Sequence, residues 1–408
     1  MKILFYVFVA IQVACGQPNA TTTNEQINIE EQQISDTLRV GAEQYNVYLP
    51  KLKGRKVACV TNQTSVVGSK HLLDFLKEND IDITKIFALE HGVRGKADAG
   101  EHINNGIDSL TGAKIISLYG SNKKPSLDDL ADVDVVLFDI QDVGVRFYTF
   151  ISSLHYIMDG VVEAKKELIV LDRPNPHAHY IDGPILKPAF QSFVGVDPLP
   201  IVYGLTIGEL ANMINGEGWL NNQQKCILTV VPCENYDRNV PYDLPVKPSP
   251  NLPNLRAIVL YPSLCFFEGT NVSVGRGTNT QFQVFGAPTY KNSFEYAFVP
   301  IPFEGAKTPM HQGVACYGKD LTSINAVRFS GLKKINFGYL VEAYAAAKKA
   351  NDPFFTNAAF FDKLAGTDQI RKLLIEGKNE DEIRASYQEE LAEFGKIICI
   401  STGIFTHN

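Results

Sequence analysis

Basic residues are in the minority in this chain. Lys and Arg number 38 against 45 Asp and Glu, a formal net charge of −7. A general nucleic-acid binder needs surplus cations to neutralise phosphates, so nucleic acid is not the expected partner. Long apolar runs are also missing: past the first sixteen residues, none reaches the roughly 20 residues of a membrane helix. None of the seven cysteines forms a CxxC pair. No GxGxxG follows the first apolar run, no Gly-rich loop carries the lysine of a P-loop, and no GxSxG elbow occurs. Dinucleotide binding, P-loop phosphate binding and the serine-hydrolase elbow therefore have no motif to rest on. No internal repeat or low-complexity tract is visible.

What is present is an ordinary globular composition. The 408 residues are 45% hydrophobic and 20% charged, too apolar for a disordered chain and long enough for two or three domains. The N-terminus reads as an address. Met1-Lys2 supplies a positive charge, Ile3 to Val13 is apolar except for Gln12, and Ala14-Cys15-Gly16 follows. This is the pattern of a secretory signal. Cys15 after Ala14 resembles a bacterial lipobox, in which that cysteine is lipidated; Gln12 stands where such motifs usually carry an aliphatic residue. Residues 1–15 are thus expected to be a signal peptide of lipoprotein type and 16–39 a polar tether. An exported protein, periplasmic or anchored to the outer membrane through the lipid, is the corresponding expectation. Cys59, Cys226 and Cys399 lie in strand-like apolar runs and read as small buried hydrophobes.

From residue 55 short apolar runs alternate with helical spacing. The runs are Lys56 to Thr61, Lys85 to Leu89, Lys114 to Leu118, Val133 to Phe138, Leu168 to Leu171 and Cys226 to Val231. Helical faces appear at Lys70 to Lys77, at Phe147 to Val162 and at Thr206 to Ile214, the last with Thr206 as N-cap and Glu209 three residues on. Continuous apolar strands between helices predict an α/β fold, a doubly wound parallel sheet over residues 40–240. Polar clusters follow the strands: Thr61-Asn62-Gln63-Thr64, Glu90-His91-Gly92, Tyr119-Gly120, Asp139-Ile140-Gln141-Asp142 and Asp172-Arg173. All would lie at the carboxyl edge of the sheet, where open α/β sheets bind ligands. Pro245, Pro248, Pro250 and Pro253 predict a rigid connector. Residues 241–408 then predict a second, smaller mixed α/β domain, with strands at Ala257 to Tyr261, Thr280 to Phe285 and Lys396 to Thr402. Helices are expected at Asn336 to Lys349 and Asp381 to Phe394.

Three motifs carry reactive groups. Glu90-His91-Gly92-Val93-Arg94-Gly95 puts a carboxyl, an imidazole and a guanidinium at one strand end, and Glu90 could act as a general acid. Asp139 and Asp142 could be a base, a nucleophile or ligands of a hard metal, or Asp142 could cap the following helix. Glu268 to Thr278 is a glycine-rich loop suited to wrapping a polar ligand. His177 and His179 form an HxH pair without a third ligand at a recognisable spacing.

These motifs occur in a fixed order with Phe138 to Thr149, Leu171 to Pro176, Pro248 to Pro253 and Gly275-Arg276-Gly277-Thr278. Together they resemble the NamZ-type exo-β-N-acetylmuramidases, formerly a domain family of unknown function, from about residue 40 to the end. Leu89 and Val93 depart from the family's usual Pro and aromatic residue without removing a reactive group. The resemblance implies a Rossmann-like domain with a smaller C-terminal α/β domain closing a cleft. It implies a glycoside hydrolase that releases N-acetylmuramic acid from the non-reducing ends of peptidoglycan fragments, with no cofactor and no metal. It points to Glu90 as catalytic.

Glycosidases generally use two carboxyl groups, and the second is open among Asp139, Asp142 and Glu268. A retaining, an inverting and a substrate-assisted course all remain open. The lactyl carboxylate of the sugar calls for an arginine, and Arg94, Arg146 and Arg276 are the candidates. Asn62, His91, Tyr148, Thr270 and Asn271 are candidates for the remaining substrate contacts. The alternatives are a metal-dependent hydrolase or phosphoesterase built on Asp139, Asp142 and the HxH pair, or a peptidoglycan-binding lipoprotein without activity.

Overall fold

Along the strand Lys56–Thr61 (β1), Val57 and Cys59 enter one hydrophobic core while Ala58 and Val60 enter another. Successive strand residues point to opposite faces, so a run that is apolar throughout must be covered on both. The structure, a computed structural model, describes residues 37–90, 92 and 93, 105–303 and 305–402, without the side chains of 400–402. Cys15, His91 and Arg94 lie outside the described residues, as do the signal and most of the expected tether. Arg39 is already part of the fold, exchanging backbone hydrogen bonds with Glu234 at 3.1 and 2.9 Å.

The large sheet has seven strands. After β1 come Asp82–Ala88 (β2), Gly106–Ile107 (β3), Lys114–Ser117 (β4), Val135–Asp139 (β5), Glu167–Leu171 (β6) and Ile227–Val231 (β7). Their order across the sheet is β3-β4-β2-β1-β5-β6-β7, all parallel except the two-residue edge strand β3. Without that edge strand this is the doubly wound order in which the winding reverses between β1 and β5. All six runs read as strands from the sequence form strands; β3, too short and exposed to leave a pattern, was not foreseen. The helix Ile207–Glu217 begins at Thr206, whose hydroxyl accepts from the Glu209 amide while the Glu209 side chain returns to the Thr206 amide, the expected capping box.

The C-terminal part differs from expectation in four elements. The expected strand Thr280 to Phe285 forms only from Val284, and the expected helix Asp381 to Phe394 is split between Glu380–Ala385 and Gln388–Thr402. Two expected strands are helical. Ala257 to Tyr261 is helical, within Leu255–Leu264, because the Asn254 side chain caps the helix by accepting from the Ala257 amide. Lys396 to Thr402 is the end of the helix Gln388–Thr402, whose Leu391, Phe394 and Ile398 are buried. Both runs are short and apolar, and periodicity alone does not separate a strand from a buried helix there. The strands of this part are Val284–Ala287 (β8), Tyr296–Phe298 (β9) and Cys316–Asp320 (β10), antiparallel in the order β8-β10-β9. The expected helix near residue 340 runs over Gly338–Ala350. One continuous core holds Val60, Phe138 and Val170 of the sheet together with Phe266, Phe282 and Phe337 of the C-terminal part. Leu38–Asn408 accordingly forms one compact unit.

Candidate active site

The reversal point of the sheet, between β1 and β5, is closed by its own side chains. Arg173, buried after β6, grips Asp139 with both arms of its guanidinium, Nε to Oδ1 at 2.5 Å and one terminal nitrogen to Oδ2 at 2.8 Å. Asn62 folds back on its own turn, its Oδ1 accepting from the Thr64 amide at 2.9 Å and the Thr64 hydroxyl at 2.5 Å. The Thr64 hydroxyl in turn accepts from the Gln141 amide at 3.0 Å. Ser65 donates its hydroxyl to the Asp139 carbonyl. Asp139 and Asn62 are both fully buried.

The open space lies to one side, over the ends of β2 and β4. A cavity of about 280 Å³ is lined there by Glu90, Tyr119, Tyr148 and Thr149 from the sheet part and by Asn251, Glu268 and Arg276 from the C-terminal part. Glu90 follows β2 and its carboxyl is held at both oxygens. Tyr119, just beyond β4, donates its hydroxyl to Oε1 at 2.8 Å, and Thr149 donates to Oε2 at 2.7 Å. A hydroxyl can both give and accept a proton, so the same pair can hold Glu90 whether or not it carries its own. Behind Glu90 the chain turns at Gly92, which has a φ of 75° and donates its amide to Leu89 at 2.9 Å.

Across the cavity, Glu268 sits in the turn Cys265–Gly269 and accepts from Arg276 at 2.6 Å. The Arg276 guanidinium lies 5.3 Å from the centre of the Phe282 ring. Glu268 and Arg276 are both partly exposed, 26% and 28% at the side chain, so they remain accessible from the cavity. Arg276 is carried between Gly275 and Gly277, whose φ values of 77° and 80° favour glycine. A Cβ at Gly277 would come within 2.6 Å of the Ile301 carbonyl oxygen.

The proline-rich connector forms part of the wall. Tyr148 donates its hydroxyl to the Pro248 carbonyl at 2.7 Å. Asn251 donates Nδ2 to the Gly305 carbonyl at 2.8 Å, which orients the amide. Its Oδ1 is buried and has no hydrogen-bond partner among the described residues. A buried acceptor of this kind can take a donor from a ligand or from water.

Of the site residues read from the sequence, the cavity gathers Glu90, Tyr148, Glu268 and Arg276. The other described ones are placed elsewhere, while His91 and Arg94 lie outside the described residues. Asp139 is locked to Arg173. Asp142 is buried outside the cavity lining, taking hydrogen bonds from the Gly144 amide at 2.5 Å and from Tyr203, and burial pushes its pKa up to about 6. It does not cap the next helix, which begins after Thr149. Arg146 is wholly buried and donates to the Pro184, Leu199 and Leu364 carbonyls at 2.9, 2.6 and 3.0 Å. With no carboxylate beside it, burial pushes its pKa down to about 9. Thr270 and Asn271 brace the glycine-rich loop, Thr270 bonding to the Phe267 carbonyl and Asn271 to Asp352.

The HxH pair does not converge: Nδ1 of His177 lies 2.6 Å from the Val143 carbonyl and Nε2 of His179 lies 3.0 Å from that of Ser330. No group of three His, Cys, Asp or Glu is placed to hold a metal among the described residues. Thr149 and Asn251 had no assigned role in the sequence reading. Both stand inside its motifs, but only the tertiary contacts single them out.

Known proteins give this geometry its context. Residues 57–256 match the N-terminal domain of the exo-β-N-acetylmuramidase NamZ family and residues 259–399 match its C-terminal domain. The peptidoglycan β-N-acetylmuramidase NamZ of Bacillus subtilis is 40% identical over 366 residues, covering 86% of this chain and 87% of that protein. The crystal structure of a DUF1343 family protein from Bacteroides fragilis superposes with a TM-score of 0.83 at 43% identity, covering 91% of this chain and all of the other. A second such protein from the same organism gives a TM-score of 0.77 at 27% identity, over 91% of this chain and 99% of its own. The doubly wound sheet and the second α/β part agree with these matches: the chain belongs to the NamZ exo-β-N-acetylmuramidase family.

Proposed function

We propose that this cavity hydrolyses the β-glycosidic bond of a non-reducing terminal N-acetylmuramic acid and releases that sugar from peptidoglycan fragments. The observation that carries the reading is the pair of carboxyl groups brought to one cavity from the two halves of the chain, Glu90 and Glu268. Two carboxyl groups flanking the scissile bond are the usual requirement of glycoside hydrolysis. Glu90 is the general acid, oriented by Tyr119 and Thr149. Glu268 is the second carboxyl group, preferred over Asp139 and Asp142 because it alone of the three lines the cavity. Arg276 has further N–H donors beyond the one given to Glu268 and can receive the lactyl carboxylate. The unpaired Oδ1 of Asn251 accepts from a sugar hydroxyl or from the acetamide N–H.

The reaction is tested by incubating the protein with a MurNAc–GlcNAc disaccharide and following the products by NMR. Free MurNAc is the expected product, and its first anomer reports the stereochemical course. Glu90→Gln should lower kcat by about 10²- to 10⁴-fold. Unchanged turnover in that variant would remove Glu90 from the acid role.

The substrate lies outside the cytoplasm, and the Met1 to Gly16 segment supports export with Cys15 acylated. A Cys15→Ser variant should lose a metabolic lipid label and move from the membrane to the soluble fraction. Retention in both respects would refute the anchor.

A further inference from the structure

We infer that a second cavity, bordered by Trp219, is a leaving-group subsite that takes the saccharide residues beyond the scissile bond; the inference rests on the hydrolytic reading of the first cavity. This second cavity measures about 450 Å³, and His155, Tyr156, Asp159, Asp197, Trp219 and Asn221 line it. A row of aromatic rings joins it to Glu90. Tyr119, which holds Glu90 at 2.8 Å, meets the Phe193 ring edge-on with centroids 6.2 Å apart. On its other side Phe193 stacks on Tyr156, 6.2 Å away with 16° between the planes. Phe193 lines the first cavity and Tyr156 the second.

The lining suits a sugar. Pyranose rings present apolar C–H faces and a rim of hydroxyls, and the half-buried Tyr156 and Trp219 offer flat apolar surface for the former. The polar groups are fixed in advance. Nδ1 of His155 lies 2.8 Å from Asp197 and Nε2 lies 3.6 Å from Asp159. Asp159 also takes both the amide and the side-chain Nδ2 of Asn221, at 3.0 and 2.7 Å. Carboxylate oxygens have several acceptor positions, so these residues can bind hydroxyl donors without breaking their network. Neither Tyr119 nor Thr149 takes part in this network among the described residues, so the cavity can contribute binding without sharing the chemistry of the first.

Trp219, the single tryptophan of the chain, lines this cavity and also a neighbouring one beside Leu186 and Phe394, so an emission change is assigned to this cavity only if Tyr156→Ala abolishes it. The Glu90→Gln protein is titrated with a (MurNAc–GlcNAc)₂ tetrasaccharide free of stem peptide. A saturable change in emission is expected; no change would overturn the inference. A response only to fragments that carry a stem peptide would overturn it in favour of a peptide site. In the otherwise wild-type enzyme, Trp219→Ala and Tyr156→Ala should lower kcat/KM for the tetrasaccharide by about tenfold or more. They should leave that for 4-nitrophenyl N-acetylmuraminide, whose leaving group is small, within about twofold. Equal losses on both substrates would mean a structural role and overturn the inference. If the wild-type enzyme cleaves neither substrate, the hydrolytic reading fails, and the emission titration still decides whether this cavity binds sugar.

Discussion

Thr149 occupies the N-cap position of the helix Phe150–Glu163 yet its hydroxyl does not cap that helix; it donates to Glu90 at 2.7 Å. A threonine at this position ordinarily satisfies an orphan amide of the first turn. Here that local contribution is given up to aim a carboxyl group. Thr149→Val removes the hydroxyl with little change of shape and forfeits no cap. We expect kcat to fall by about ten- to a hundredfold, the range for one hydrogen bond to an ionisable group, with the melting temperature nearly unchanged. Steady-state kinetics beside a thermal melt test this, and a stability loss without a kcat loss would contradict it.

Two of the motif arginines, Arg146 and Arg276, should separate by behaviour. Arg276→Ala should weaken the preference for a muramic over a glucosaminyl substrate, because Arg276 is the described cavity-lining arginine. Arg146→Met should instead destabilise the fold. It strips the buried Pro184 and Leu364 carbonyls of their donor, at about 1–3 kcal/mol each, the latter at the C-terminal end of the helix Ala358–Ala365, while the Leu199 carbonyl keeps the Leu186 amide. Denaturant unfolding of the two variants, with kinetics on both substrates, distinguishes these outcomes.

Asp139→Asn should behave as a core lesion. The substitution leaves the buried Arg173 guanidinium without its carboxylate, and breaking such a pair typically costs about 3–5 kcal/mol. Glu268→Gln, at a partly exposed site, should be nearly neutral for stability and severe for turnover. Chemical denaturation of both variants provides the comparison.

Asp142 gives stability a dependence on pH. Burial pushes its pKa up from 3.8 to about 6, so the folded chain holds this proton more tightly than the unfolded chain. Its contribution is therefore complete below about pH 4 and is lost as pH rises through about 6, amounting to about 3 kcal/mol. Asp172, pushed up to about 7 by burial, acts in the same direction. Asp142→Asn should remove the Asp142 share. The difference in unfolding free energy between variant and parent should thus move in favour of the variant between pH 4 and 7. A constant difference across that interval would refute the assignment.

The sheet was legible because its strands carry their pattern locally. In β5, Val135 and Leu137 face one core and Val136 and Phe138 the other, and a short run apolar at each of these positions reads as a buried parallel strand because it recurs between helical stretches. Thr206 and Glu209 marked a helix start by short-range hydrogen bonds alone. Ala257 to Tyr261 and Lys396 to Thr402 were misread as strands, since for such runs the deciding contacts come from outside: the Asn254 cap in one case, a longer amphipathic helix in the other.

The sequence by itself determined which chemistry is available: strand ends rich in carboxyl and guanidinium groups, and an order of motifs shared with one enzyme family. It could not decide which of these groups meet a ligand. Asp139, Asp142, Glu90 and Glu268 are all acidic residues in strong motifs, and Arg146 and Arg276 are both motif arginines. Tertiary structure divides them by burial and partner. A carboxyl or guanidinium sealed in the interior must spend its hydrogen bonds on the protein, as Asp139 does on Arg173 and Arg146 does on three carbonyls. Only Glu90, Glu268 and Arg276 among these six line the cavity, where a ligand can compete for their charge.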